Sequence, residues 1–147
     1  MGRIYTAPID RIAVAADDDQ DLWSLMAPSG RKLILHAWEI TASITTPTIM
    51  ATVLQRITAV GSGGAALTAV KVNSDDSAAI GSARRTDTTP GASGDALEGY
   101  QWEMVGALGQ IFTPELRPII QASTGIALKC KTSQAFTMSG YIKWEEN

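Results

Sequence analysis

Alternation with a period of two is the feature that most narrows what this chain can become. Ile126, Leu128 and Cys130 alternate with Ala127, Lys129 and Lys131. Further on, Phe136, Met138, Gly140, Ile142 and Trp144 alternate with Thr137, Ser139, Tyr141 and Lys143. Successive side chains of a strand point to opposite faces, so each run predicts one buried face and one wet face. Runs rich in Val, Ile, Thr and aromatics also stand at Arg11–Ala15, Asp21–Met26, Arg31–Ser43, Ile49–Val60, Leu67–Val72, Tyr100–Val105 and Pro118–Gln121. Turn residues separate them, and Gly and Pro recur too often for helices of useful length. About nine short strands in one chain predict an all-β, jelly-roll-like β-sandwich.

A length of 147 residues is that of a single domain, and a chain of this size buries roughly 70% of its unfolded surface. Hydrophobic residues make up 45% and charged residues 18%, a composition that can pay the entropy of folding and excludes wholesale disorder. Lys and Arg number 12 against 15 Asp and Glu, a net charge of −3, which carries no nucleic-acid footprint. The single cysteine, Cys130, excludes an intramolecular disulfide or a multi-cysteine zinc site, and the single histidine, His36, excludes any site that needs two. Met1–Pro8 has no apolar signal core, and no window approaches a membrane-spanning length. The expectation is a soluble protein kept in a reducing compartment or released by lysis, with no membrane partner.

The breaks divide the chain further. Pro28-Ser29-Gly30 predicts a turn, and Gly61-Ser-Gly-Gly64 ends the run before it. Asn73–Leu97 is a polar stretch of 25 residues with Asp75, Asp76, Arg84, Arg85 and Pro90, and it predicts a long loop, either binding or flexible. Residues 1–10 have no obvious strand partner and predict an N-terminal arm ahead of a sandwich domain at 11–147.

No segment assembles a catalytic or cofactor site. Gly61-Ser-Gly-Gly-Ala-Ala66 fits a loose dinucleotide pattern, but Leu67–Val72 after it has the composition of a strand where that motif needs a helix. Asp17-Asp18-Asp19 with Asp21 lacks the Gly and distal Glu of a calcium loop and predicts a solvated turn, with an ion between subunits left open. His36 predicts a packed or half-exposed strand residue, and Cys130 a small buried hydrophobe. Trp23, Trp38, Trp102 and Trp144 predict core or subunit packing ahead of a sugar-stacking platform. Arg84-Arg85 is a basic pair on a solvated surface. The expectation is a non-enzymatic protein without cofactor or metal.

Feature order carries a resemblance. Asp21–Leu25 is followed by Lys32–His36, by Gln55–Gly64, by Asp75-Asp76-Ser-Ala-Ala, by Phe112–Pro118, by Gly125-Ile-Ala-Leu and by a final strand closing on Trp144-Glu-Glu. From Tyr5 to Glu146 this order resembles the small jelly-roll decoration, or cement, proteins of tailed-bacteriophage heads. The resemblance implies a homotrimer, made in the host cytoplasm, that sits on the outer surface of the capsid against the major capsid protein and stabilises the virion. Arg3, Ile4 and Tyr5 of the arm, with Trp23, Arg84 and Arg85, are the expected capsid or subunit contacts. The alternative is a carbohydrate- or receptor-binding module of a tail fibre, with aromatics for stacking.

Overall fold

The computed structural model describes residues 2–132 and 134–147, and of Asp17 and Asp18 the backbone alone. Twelve strands follow one another: β1 Arg3–Val14, β2 Asp17–Met26, β3 Leu33–Ser43, β4 Ile49–Ala59, β5 Ala65–Leu67, β6 Val70–Lys71, β7 Ser82–Asp87, β8 Ala92–Glu103, β9 Leu108–Ile111, β10 Ile119–Ile120, β11 Gly125–Thr132 and β12 Phe136–Glu146. A 3-10 turn at Pro114–Leu116 separates β9 from β10. The strands form two six-stranded sheets of antiparallel pairs. Sheet A runs β10-β3-β12-β1-β6, with β9 beside β10 on the same edge of β3, and sheet B runs β5-β7-β2-β11-β4-β8. Without β5, β6 and β7, sheet A reads β1-β12-β3-β9/β10 and sheet B reads β2-β11-β4-β8. Successive strands therefore hop between sheets, as in the double Greek key of a jelly roll. The all-β sandwich expected from alternation is the fold observed.

Alternation places the core. Tyr5, Leu33, Leu35, Met138, Ile142 and Trp144 of sheet A meet Trp23, Leu25, Leu54, Ile126 and Leu128 of sheet B, all fully buried. Trp23 packs on Trp38 with ring centroids 5.7 Å apart, and Tyr5 stacks on Trp144 at 6.0 Å. The expected break at Pro28–Gly30 is a turn, with Gly30 at φ +75° where a side chain would be strained.

Three expectations are corrected. Of the expected arm at 1–10, Met1 lies outside the described residues and 3–10 belong to β1, which is hydrogen-bonded to β12 from Arg3 opposite Glu146 to Val14 opposite Phe136, and to β6 on its other side. A pairing between strands so far apart in the chain has no local signal, which is why the partner of β1 escaped the sequence. Asn73–Leu97 is not one long loop, for it holds β7 and the first half of β8; polar Ser, Arg and Thr in β7 and Ser, Gly and Asp in β8 mask strands that bury few side chains. Leu67–Val72 splits into β5 and β6, which join different sheets. The inserted segment between β4 and β8 thus extends sheet A beyond β1 and sheet B beyond β2.

Candidate interaction surfaces

Four connections gather at one end of the sandwich. Register places Val14 beside Phe136, Thr137 beside Ser43, Asp17 beside Thr132 and Ile49 beside Glu103, so the β1–β2, β3–β4, β8–β9 and β11–β12 turns lie together. A cleft of about 500 Å³ opens there between Ala13–Ala15, Ser43–Thr45 and Ala135–Thr137, and none of these side chains ionises. At the same end Ile49 is 68% and Val105 63% exposed. A concave, uncharged surface flanked by bare aliphatic side chains suits another protein surface better than a polar small molecule.

The solvent face of sheet A is a second surface, and strand register defines it. Antiparallel partners share a face, so Val70, Thr6, Lys143, Ala37 and Ile111 form one row across the sheet. The next row runs through Ile4, Glu145, Ile34 and Ile119, with Val72 at its end through a hydrogen bond from Val72 N to Ile4 O at 3.0 Å. Both rows carry apolar side chains at their two ends and one charge at their centre. Lys143 reaches over the Tyr141 ring, 4.9 Å from its centroid. His36 bulges out of the β3–β12 register, where Leu35 faces Trp144 and Ala37 faces Lys143, and its Nε2 lies 2.9 Å from Glu145 Oε2.

Sheet B is covered on its outer side instead. The segment joining β7 to β8 crosses it, and Gly91 N donates to the buried Asp21 Oδ2 at 2.8 Å. Gln55 Nε2 and Lys129 Nζ both contact Ser93 Oγ at 2.7 Å. Burial pushes the Asp21 carboxyl up from its ordinary value, opposed by the Gly91 N–H and Lys129 and reinforced by Asp87 and Asp19. Asp87 accepts Gly64 N at 3.0 Å and Arg84 Nη2 at 2.7 Å. The expected solvated turn at Asp17–Asp21 is therefore corrected: these residues open β2, and Asp21 is a buried acceptor that anchors the crossing segment. Among the described residues, no three His, Cys, Asp or Glu side chains group to hold a metal ion.

The six residues expected as contacts scatter. Tyr5 and Trp23 are fully buried in the chain's own core, so neither offers a surface. Tyr5 spends its hydroxyl on Ser77 O at 2.9 Å. Arg3 binds Ser77 Oγ at 2.7 Å and lies 3.9 Å from Asp76, tying β1 to the loop before β7. Arg84 is held by Asp87, while Arg85 is half-buried on β7 opposite Trp23. Only Ile4 lies on a candidate surface. The four tryptophans are buried as well, which removes the stacking platform of the tail-fibre alternative. Ile111 lay in no run that the sequence marked as a strand, and Ile119 lay in the run Pro118–Gln121 without any sign of its exposed face, because Leu108–Ile111 and Ile119–Ile120 are too short to show a period.

Neither a protein-family model nor a curated protein sequence matches the chain. Among solved structures, "Structure of infectious bursal disease virus Gx strain" aligns at a TM-score of 0.27 and 17% identity, over 100% of this chain and 43% of that one. The chain spans less than half the length of that protein, and a score at this level carries no argument.

Proposed function

We propose that this chain is a non-enzymatic structural protein that binds the exterior of a tailed-phage head as a homotrimer and stabilises the shell. The observation that carries the reading is the loop end, where Ile49 and Val105 stand exposed beside a cleft whose lining has no ionisable side chain. The order of sequence features that resembles head decoration proteins lies on a jelly roll, an architecture that also serves capsid and lectin domains. Fold alone does not assign a function, so the loop end bears the argument. Its partner is the major capsid protein. One loop end is a modest contact, but three joined copies gain avidity of about 10²–10⁴ fold over one. Because the protein binds the assembled shell and not free subunits, mass action stabilises the shell.

The test is co-sedimentation of the purified protein with expanded heads. Wild type is expected to pellet with heads, and Val105→Asp with Ile49→Asp to stay in the supernatant while keeping its β spectrum. Wild type that stays in solution at saturating head concentration would sink the reading.

A further inference from the structure

The geometry points to a second copy of this chain as the occupant of the solvent face of sheet A, in a two-fold, antiparallel contact. The inference uses a different face from the loop end and stands apart from the capsid reading. Lys143 and Glu145 are neighbours on the central strand β12, on one face, one in each row. Lys143 forms no ion pair among the described residues, and Glu145 packs beside Gly2 with one carboxylate oxygen 2.9 Å from His36 Nε2. A two-fold axis lying in the contact plane, across the strands and between the rows, exchanges the rows. It sets each Lys143 against the partner subunit's Glu145, twice. It also sets Ile111, 79% exposed, against the partner subunit's Ile119, and Val70 against the partner subunit's Val72. An axis along the strands would instead oppose Glu145 to itself and Lys143 to itself. Only the first arrangement pairs acid with base at the centre of the rows and apolar with apolar at both of their ends, the complementarity an isologous interface draws on. Strand direction reverses across it, so the loop ends of the two copies point to opposite poles. Combined with three-fold association, this closes a set of six with three loop ends at each pole.

Light scattering coupled to size exclusion measures the number of copies. Wild type is expected to show an even number of copies in solution, six where the three-fold association of the capsid reading forms off the head and two where it forms only on it. Lys143→Glu alone and Glu145→Lys alone each place like charges across the axis, and each is expected to weaken pairing by about tenfold or more. Mixing the two variants restores pairing, and so does joining both changes in one chain. Ile111→Lys, at an exposed position that cannot unfold the core, is expected to weaken pairing similarly. An odd number of copies in wild type, or single and double charge variants that pair equally well, overturns the two-fold contact. Head binding is scored separately: paired protein that ignores heads overturns the capsid reading alone, and odd-numbered protein that binds heads overturns the pairing alone.

Discussion

Asp21 shows how one side chain ties pH to stability. Burial holds its carboxyl above the ordinary range, so the native state keeps a proton that the unfolded chain has already released. The contribution of this group is present below the ordinary Asp range and is lost as pH rises through the raised native value. Asp21→Asn keeps an acceptor for Gly91 N and removes the charge. Its melting temperature is expected to match or exceed wild type at pH 7, with the advantage shrinking on acidification; thermal melts across pH 3–7 check this. Gly140 is the other sensitive position. Its φ is +152°, and a Cβ there would collide with the Glu39 carbonyl oxygen across the β12–β3 pair. Gly140→Ala is expected to cost about 3 kcal/mol or more in denaturant unfolding. The sequence places Gly140 correctly on the inward phase of its strand, yet nothing local in it announces the close approach of β3.

At the level of elements, β1 decides whether the chain folds at all. Removing residues 1–8 deletes Tyr5 and Ala7 from the core and half of a strand paired on both sides. The truncated chain is expected to lose its β spectrum and its cooperative melt, where an arm would have left both intact. Glu146 performs a similar task at the opposite end of the chain. Its buried carboxylate accepts Ile80 N at 3.0 Å, Gly81 N at 2.8 Å and the Trp144 indole N–H at 2.9 Å. Glu146→Ala leaves three donors without an acceptor and is expected to cost about 3 kcal/mol, with faster amide exchange confined at first to residues 73–81. Glu146→Gln, which keeps an acceptor oxygen, is expected to cost less. The strands that alternate cleanly, β11 and β12, were legible in sequence. β10 was legible in the run Pro118–Gln121 and β6 in Leu67–Val72, but β9 was not and the split of Leu67–Val72 between two sheets was not, because two to four residues cannot display a period and their placement comes from the strand beside them.

Across the whole molecule, pairing is non-local. The first strand pairs with the last, and β2 and β4 both pair with β11. Closing such long loops is entropically expensive before any contact forms, so refolding is expected in milliseconds to seconds, as for other sandwiches. Stopped-flow fluorescence of the four buried tryptophans measures it, and a microsecond phase carrying the full amplitude would contradict the topology. By itself the sequence determined the all-β class, the turn at Pro28–Gly30, the inward faces of β11 and β12 and the burial of the tryptophans and Cys130. All of these follow from a period of two and from hydrophobicity, which are local. Only the tertiary structure decided that Arg3–Val14 is a strand paired on both sides, that Asp21 is buried and that Tyr5 and Trp23 are unavailable for contact. It also decided that Lys143 and Glu145 stand at the centres of two rows with apolar ends on one face of sheet A. Those facts depend on which strands lie side by side, and that choice is made by the packing of the whole chain.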